Sequence, residues 1–423
     1  MKRKSLFISA VLLLFGIFSS IFFLFPKKEY FPDKNQTHQS KKFKLPPVIE
    51  KYIDYLEAFL DSTQNVGAAL TIVSRENIFA AKTFGVKKSG TNDSVDMHTV
   101  FRLASVSKGF SGLLACILEN EGIFSLQDKI VTYLPEFRLK DSVNTVDLKI
   151  ENILDHTSGL VPHAYDNLIE DDLPLYQIIK NLYEADISAP PGKLYSYQNV
   201  VFSLIDTIAY IQTGVPFDKL MEKYIFRPLR MKNASVGAHI FTRKYANIAF
   251  PHVRIDSAYR SIPLNLGYYN ISPAAGINAS ISDMAKYLQA LLGHNPEVLD
   301  SSILLKITTP LIDSPLKYRY TKYWERIDKK YYGLGWRIYM YKSRKIIYHG
   351  GYVKGYRAEI AFCPQENIGI AFLQNSPNQV ASRCVPAFFD SYFHYLENDS
   401  TSVTGWNEVF RWFPLDPDSS EMY

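Results

Sequence analysis

Strand-like segments stand at both ends of this 423-residue sequence, and helical segments lie between them. Near the N-terminus, residues 66–73 and 78–86 are apolar and β-branched, and the polar residues between them are typical of a hairpin turn. Residues 345–348, 356–362 and 368–373 have the same character near the other end. Because strands need neighbouring strands to satisfy their backbone hydrogen bonds, these segments predict one sheet to which both ends of the chain contribute.

Apolar residues at helical spacing predict the remaining elements. One helix, over 47–60, precedes the first strands, and another, over 380–396, follows the last. The helices predicted between the two groups of strands cover 108–121, 200–212, 217–224 and 282–292. The predicted fold class is therefore α/β (α+β). It has an antiparallel sheet closed by N- and C-terminal helices, an inserted helical subdomain, and a cleft between the two parts.

An uncharged run rich in Leu, Ile and Phe covers residues 5–25 and follows the basic segment 1–4. About 20 apolar residues span the core of a bilayer, and basic residues on the short side favour a cytoplasmic N-terminus. We therefore predict a cytoplasmic stub (1–4) and an uncleaved transmembrane anchor (5–25). The catalytic part would then lie outside the cytoplasm, in the periplasm, tethered to the inner membrane. A cleaved signal sequence is the alternative, for which Phe22–Pro26 is a poor cleavage site.

Charge is unevenly distributed along the chain. Residues 1–48 contain nine basic and two acidic residues, a net charge of +7, whereas the whole chain carries +5. The remainder therefore carries −2, which argues against a nucleic-acid partner. Residues 26–48 are predicted to form a polar tether, and 49–397 the main domain. The tail, 398–423, is aromatic and acidic and has no predicted role.

Several kinds of chemistry lack their sequence motifs. The nine histidines and three cysteines show no metal-ligand spacing, and neither a phosphate-binding Walker loop nor a dinucleotide-binding fingerprint occurs. No Gly-x-Ser-x-Gly segment is present either, which disfavours an α/β-hydrolase. We therefore predict that the protein uses no metal and no cofactor. Cys116, Cys363 and Cys384 are too few and too widely spaced to define a disulfide framework.

The candidate nucleophile is Ser105, in the segment Ser105-Val106-Ser107-Lys108 at the start of a predicted helix. Positions i and i+3 share a helix face, so the amine of Lys108 can lie beside the hydroxyl of Ser105. A hydroxyl becomes a good nucleophile when a neighbouring base takes its proton. The same Ser-x-x-Lys spacing recurs at 314–317 in a predicted loop. The segment Phe101–Ala104 and the helical run that follows favour Ser105.

Residues 101–108, Phe-Arg-Leu-Ala-Ser-Val-Ser-Lys, resemble the active-site segment of the serine β-lactamase and penicillin-binding-protein superfamily, above all its class C branch. The second motif of that family is Tyr-x-Asn. It matches this chain at Tyr165, Tyr197, Tyr245 and Tyr268. Only Tyr197 has the family's surroundings, with Pro191-Gly192 before it and an apolar helix after Asn199. The resemblance therefore selects Tyr197 and Asn199.

The third family motif, Lys-Thr-Gly, is replaced here by the run His349-Gly350-Gly351-Tyr352. This run resembles the His-x-Gly variant found among family members that are peptidases, esterases or uncharacterised hydrolases. A lysine stays charged at neutral pH, whereas a hydrated histidine titrates near pH 6.5. Binding of a substrate carboxylate is therefore expected to be weaker, or to depend on Lys354 or Arg357. A solvated strand residue is the alternative interpretation of Arg357.

The resemblance extends from about residue 49 to 396 and implies acyl transfer through a serine ester. Other segments that carry it are 154–160, 225–231, 273–277 and 332–336. Ser105 would attack a carbonyl, Lys108 and Tyr197 would share the proton transfers, and Asn199 would orient the lysine or a substrate amide. A nearby lysine ammonium is expected to lower the pKa of Tyr197.

The resemblance also implies roles for the third motif. The backbone N–H groups of Ser105 and Tyr352 would form the oxyanion hole, and His349 would line the cleft. No counterpart of the deacylating Glu of class A relatives is found, so Tyr197 would serve in both half-reactions. We interpret His156 as structural.

The predicted function is that of a membrane-tethered serine hydrolase. It would be D,D-peptidase-like or esterase-like and act on amides or esters in small molecules or peptides, including peptidoglycan-derived ones. A genuine class C β-lactamase is the first alternative. A slowly deacylating penicillin-binding protein or sensor is the second.

Overall fold

The computed structural model describes residues 45–244, 246–315, 323–324, 326–398, 410 and 413. The predicted cytoplasmic stub and transmembrane anchor, and all but the end of the tether, lie outside the described residues. Within the described part of the chain, no helix is both long enough and apolar enough to cross a membrane.

Thirteen strands and thirteen α-helices are found in the described residues. The strands are β1 (Gly67–Val73), β2 (Ile78–Gly85), β3 (Val100–Arg102), β4 (Ser235–Val236), β5 (His252–Ile255), β6 (Ala258–Ser261), β7 (Ile277–Ser280), β8 (Ile312–Asp313), β9 (Lys329–Tyr332), β10 (Arg337–Tyr341), β11 (Arg344–Val353), β12 (Tyr356–Cys363) and β13 (Ile368–Gln374). The helices are α1 (Pro47–Ser62), α2 (Ser107–Asn120), α3 (Ile130–Tyr133), α4 (Ser142–Asp147), α5 (Ile150–Leu154), α6 (Asp166–Glu170), α7 (Leu175–Ile179), α8 (Leu204–Thr213), α9 (Phe217–Met221), α10 (Ser272–Ala275), α11 (Ile281–Leu291), α12 (Ser301–Ile307) and α13 (Gln379–Glu397).

An eight-stranded antiparallel sheet forms the frame, in the order β2-β1-β13-β12-β11-β10-β9-β8. Strand β1, from the N-terminal end, pairs with β13, from the C-terminal end, with Thr71 opposite Ala371. Every residue of β1 and of β13 is buried, as expected of strands covered on both faces. The predicted antiparallel sheet built from both ends of the chain is therefore confirmed.

Helices α1 and α13 cover one face of this sheet. The hydroxyl of Tyr52 on α1 donates a hydrogen bond of 2.9 Å to the carbonyl oxygen of Cys384 on α13. The ring of Tyr52 also meets that of Phe388 edge-on, with centroids 5.2 Å apart. Two aromatic residues of the tail complete this layer, because Phe410 stacks on Tyr55 and Phe413 packs on Tyr52 and Phe59.

The inserted helical part covers the opposite face and positions the nucleophile helix α2. A side chain at Gly109 would collide with the buried indole of Trp336. One at Gly112 would collide with the backbone of Leu334. The two glycines therefore allow α2 to lie directly on the connection between β9 and β10. Farther along α2, Phe110 stacks on Tyr287 of α11 with centroids 3.8 Å apart.

The structure differs from the predicted elements at several places. The strand predicted at 345–348 continues as β11 through Gly350 and Gly351, because both glycines fit close contacts rather than turns. The helix predicted at 200–212 begins with a 3-10 turn, Val201–Ser203. Helix α11 begins at Ile281, because Ser280 and Asp283 form its capping box. Strands β3 to β10 were not predicted, because none exceeds five residues and β9 is rich in lysine.

Candidate active site

The nucleophile segment is a tight turn between a strand and a helix. Strand β3 ends at Arg102, Ala104–Val106 form one 3-10 turn, and α2 begins at Ser107. Ala104 has a φ of +48°, a left-handed conformation that is costly for a residue with a side chain. The backbone thus turns sharply one residue before Ser105, which is half-buried at the N-terminal end of α2.

Lys108 lies fully buried beside this turn, and three oxygen atoms surround its amine. Nζ donates hydrogen bonds to Asn199 Oδ1 at 2.7 Å and to the carbonyl oxygen of Ala274 at 3.1 Å. Ser105 Oγ lies 3.4 Å away. A neutral amine has two N–H donors and one lone pair. Since the two donors are already used, the lone pair is left for the proton of the Ser105 hydroxyl.

Burial lowers the pKa of the Lys108 amine well below its usual range. The carboxylate of Asp166 opposes this shift, and the guanidinium of Arg337 adds to it. The amine is therefore far easier to deprotonate than a surface lysine, as a general base requires.

Tyr197 is half-buried, and its hydroxyl is hydrogen-bonded to the side chain of Ser105. Burial raises the pKa of Tyr197 above its ordinary value, and Arg337 and the bond to Ser105 oppose this only in part. The expectation that Lys108 would lower this pKa is therefore not met. The cation that opposes the rise is Arg337, whose guanidinium lies 5.7 Å from the ring centroid, although Lys108 Nζ is nearer at 4.7 Å. Tyr197 is a neutral phenol at rest.

Asn199 connects the lysine to a carboxylate that the sequence did not single out. Its Oδ1 accepts from Lys108, and its Nδ2 donates to Asp166 Oδ2 at 2.8 Å. The same carboxylate oxygen bonds Nδ1 of His163 at 2.7 Å. We call His163 and Asp166 the mouth pair. In the sequence, only the Tyr-x-Asn match that begins at Tyr165 pointed to this pair, and that match lacks the surroundings that the family motif has.

The glycines of the third motif allow strand β11 to pack closely against the backbone of the nucleophile segment. A Cβ at Gly351 would lie 3.0 Å from the backbone nitrogen of Ser105, so only glycine lets β11 approach this closely. A Cβ at Gly350 would lie 2.7 Å from the hydroxyl of Tyr348 and from a carboxylate oxygen of Glu359. The neighbouring backbone of Tyr352 therefore lies close to Ser105, while its side chain is 58% exposed.

His349 does not line the cleft, contrary to what the resemblance implied, because its side chain is fully buried. His349 Nε2 lies 3.0 Å from the hydroxyl of Tyr332, which also lies 3.1 Å from Nε2 of His156. The backbone N–H of Gln198 donates to Nδ1 of His156 at 3.2 Å. We call His349, Tyr332 and His156 the buried relay. It connects the third motif to the loop of Tyr197.

Hydrogen bonding fixes the protonation of the buried relay. His156 Nδ1 accepts from a backbone N–H, so its Nε2 carries the proton and donates to the oxygen of Tyr332. Tyr332 then donates to His349 Nε2, and His349 Nδ1 donates to the carbonyl oxygen of Gly350 at 2.9 Å. Burial lowers the pKa of both histidines well below 6.5. Both rings are therefore neutral, and His349 offers no charge to a substrate carboxylate.

The other candidate cations differ in their surroundings. Arg357 Nε donates to Glu359 Oε1 at 2.6 Å, so much of its charge is balanced by a buried carboxylate. Lys354 is exposed at the turn between β11 and β12. Arg337 is half-buried beside Tyr197 and has no ion pair with any carboxylate among the described residues. Sequence reasoning missed Arg337, since nothing but its position after the segment 332–336 pointed to it.

The cysteines and the potential metal ligands give no further candidate site among the described residues. The thiols of Cys116, Cys363 and Cys384 are all buried and free. In the part of the chain that the structure describes, no group of three His, Cys, Asp or Glu side chains could hold a metal ion.

Comparisons with known proteins identify the family and the fold. A sequence model of the Beta-lactamase family matches residues 53–390. The unguisins hydrolase of Aspergillus violaceofuscus is 25% identical over 342 residues, which cover 73% of this chain but only 58% of that relative. The octameric penicillin-binding protein homologue from Pyrococcus abyssi has a TM-score of 0.70 at 22% identity and covers 81% of this chain and 77% of its own. EstCE1, a hydrolase with promiscuous acyltransferase activity, has a TM-score of 0.68 at 18% identity over 82% of this chain and 98% of its own.

Proposed function

The chain belongs to the beta-lactamase family of serine hydrolases, and on this premise we propose that it acts through a covalent acyl ester on Ser105. The observation that carries the proposal is the buried amine of Lys108, 3.4 Å from the Ser105 hydroxyl oxygen. Its lowered pKa suits it to take the proton of that hydroxyl. Asn199 and the carbonyl of Ala274 hold the amine in place.

In the first half-reaction, Ser105 Oγ attacks the carbonyl carbon of an amide or ester while Lys108 Nζ takes the hydroxyl proton. The tetrahedral intermediate collapses, and the bond to the leaving group breaks. Tyr197, which is a neutral phenol, gives its proton to the leaving nitrogen or oxygen and regains one from the Lys108 ammonium. The products are acyl-Ser105 and the protonated leaving group.

The oxyanion of the tetrahedral intermediate would be stabilised by the backbone N–H groups of Ser105 and Tyr352. The close packing of Gly351 against the nitrogen of Ser105 supports this assignment. Donors of this kind are fixed by the fold before the reaction begins, and removing one typically costs about 10²–10³ in rate.

The substrate class we propose is that of a D,D-peptidase or esterase: amides or esters of small molecules or peptides, including peptidoglycan fragments. The neutral, buried His349 supports substrates that need no carboxylate contact at the third motif. A genuine β-lactamase is the alternative, which rapid turnover of nitrocefin would favour. A slowly deacylating penicillin-binding protein would be labelled by penicillin without turnover.

We also propose that residues 5–25 tether this hydrolase to the inner membrane, with the catalytic part in the periplasm. The apolar run and its basic flank support the tether. Recovery of the full chain with membranes after alkaline washing is expected, and recovery as free protein would contradict it.

The substitution Ser105→Ala tests the nucleophile. We expect it to abolish covalent labelling by a fluorophosphonate probe, since Ser105 carries the one serine or threonine hydroxyl bonded to the buried amine among the described residues. The matched control is Ser314→Ala, which removes the serine of the second Ser-x-x-Lys segment and should leave labelling unchanged. Labelling of the Ser105→Ala variant at the wild-type rate would refute the assignment.

A further inference from the structure

His163 has the surroundings of an acid–base histidine, although the proposed mechanism has not used it. Its side chain is 55% exposed, while the carboxylate of Asp166 that holds it is only 17% exposed. Nδ1 bonds Asp166 Oδ2 at 2.7 Å. Its other ring nitrogen, Nε2, has no hydrogen-bond partner among the described residues. A histidine oriented by a carboxylate through Nδ1, with Nε2 left open, is the arrangement that general-base catalysis uses.

The backbone holds His163 against the second motif. Its N–H donates a hydrogen bond of 2.9 Å to the carbonyl oxygen of Tyr197. Its φ is +60°, in the left-handed region that few residues with side chains adopt. The imidazole centroid consequently lies 5.4 Å from the ring centroid of Tyr197. Such strained residues cluster at functional sites.

Access to water separates His163 from the other bases of the site. The amine of Lys108 is fully buried, and its neighbours leave it only the direction of Ser105. Tyr197 is half-buried and holds its proton at rest. The imidazole of His163 is the group of this cluster that a solvent molecule reaches directly.

We propose that His163, oriented by Asp166, is the general base that activates water to hydrolyse acyl-Ser105. The inference rests on the acyl-enzyme proposed above and supplies its second half-reaction. The carboxylate fixes the ring with the proton on Nδ1, so that the Nε2 lone pair faces away from Asp166 and can bind a water proton.

His163 Nε2 takes a proton from water while the water oxygen bonds to the acyl carbonyl carbon. The tetrahedral intermediate collapses, the bond between carbon and Ser105 Oγ breaks, and Tyr197 gives its proton to Oγ. The proton on His163 then passes to the oxygen of Tyr197. A carboxylic acid leaves, and Ser105, Tyr197 and His163 return to their starting states.

This assignment means that Tyr197 need not serve as the base in both half-reactions. It donates a proton in each, to the leaving group in acylation and to Ser105 Oγ in deacylation. Lys108 is the base in the first, and His163 is the base in the second. Lys108 is buried and His163 is open to solvent, as the attacking hydroxyl and the attacking water require.

The two half-reactions can be measured separately with p-nitrophenyl acetate. The burst of p-nitrophenolate reports acylation, and the steady phase reports deacylation. In His163→Asn, where asparagine tolerates the positive φ, we expect the burst to remain and the steady phase to slow about 100-fold. The control is His294→Asn, at an exposed histidine outside the site, and it should leave both phases unchanged.

Two further variants separate a catalytic from a merely positioning role. His163→Gly keeps the backbone conformation, and added imidazole should restore its steady phase because the position is open to solvent. Asp166→Asn offers an amide N–H to Nδ1, favours the wrong tautomer and should slow the same phase by about 10-fold or more. Equal losses in both phases, or no rescue by imidazole, would overturn the proposal. Failure of Ser105 as the nucleophile would look different, since Ser105→Ala would then keep its burst.

Discussion

Two histidines pack against the ring of Tyr197, and one of them is buried whereas the other is exposed to solvent. On the inner side His156 is fully buried, with ring centroids 4.3 Å apart, and belongs to the buried relay with Tyr332 and His349. On the outer side His163 is more than half exposed, with centroids 5.4 Å apart, and belongs to the mouth pair. All three histidines are hydrogen-bonded. The difference teaches that burial, rather than residue type or hydrogen bonding, decides which histidine is available for proton transfer.

The physical reason is the cost of charge away from water. An imidazolium in the buried relay would lose its hydration, and the positive charge of Arg337 would oppose it further. The relay is thus suited to hold the two motifs in place as a neutral chain. In the mouth pair the imidazole is more than half exposed to solvent, and a carboxylate holds its Nδ1.

The largest expected effect is at Lys108, which lies between the two regions. Lys108→Met fills the same buried volume with an apolar chain but removes the base for Ser105. We expect acylation by p-nitrophenyl acetate to fall about 10³-fold, which corresponds to about 4 kcal/mol of transition-state stabilisation. The rate of the p-nitrophenolate burst measures it.

The assignment of Lys108 as the base for Ser105 would be wrong if the mouth pair alone could activate this serine. In that case Lys108→Met would keep most of its acylation rate and His163→Asn would lose it. Arg230→Met is a suitable control, because this exposed arginine lies in the loop after α9 and its removal should not alter the burst.

The candidate site was only partly predictable from the sequence. The Ser-x-x-Lys and Tyr-x-Asn spacings pointed to Ser105, Lys108 and Tyr197, which the fold brings together, because each motif carries its own local geometry. The burial of His349 was not predictable, since it depends on Tyr332 from β9 and on a loop nearly 200 residues earlier in the chain. Asp166 was missed because its partner Asn199 is distant in sequence.

The fold, like the site, was predictable only in part. The long apolar strands β1 and β13 were recognised, because continuous burial leaves a continuous apolar run. The half-exposed β9 was not, because a strand at the margin of a sheet carries polar residues that look like a loop. What the sequence predicts well is therefore what is decided locally or by full burial.

The hydroxyl of Tyr332 stands in the middle of the buried relay. Tyr332→Phe keeps the ring and removes only the hydroxyl, which leaves Nε2 of His156 and of His349 without their partner. Since each unsatisfied buried polar group costs about 1–3 kcal/mol, we expect the free energy of unfolding to fall by about 2–3 kcal/mol in urea titrations. Tyr331→Phe, on the half-buried neighbouring residue of β9, is the matched control and should cost far less. Equal effects of the two substitutions would show that the relay contributes no specific stability.

The smallest effect is a pH dependence that only the buried region should show. Burial depresses the pKa of His349 in the folded state below the value of about 6.5 in the unfolded chain. The unfolded state therefore binds the proton more readily, and stability present above pH 6.5 is lost as the pH falls below it. Between pH 7.5 and 5.5 one such histidine contributes a loss of about 1.4 kcal/mol.

His349→Asn isolates this contribution, because other buried groups titrate in the same range with the opposite sign. Burial raises the pKa of Asp155 to about 7 and that of Asp206 to about 6, so both favour the folded state as the pH falls. These contributions are common to the wild type and the variant and cancel in the difference between them. We compare how the free energy of unfolding changes when the pH falls from 7.5 to 5.5. His349→Asn is expected to lose about 1.4 kcal/mol less stability over this range than the wild type. An identical change in the two proteins would mean that His349 is hydrated and titrates as freely in the folded state as in the unfolded one. The contrast between the buried relay and the mouth pair would then be lost.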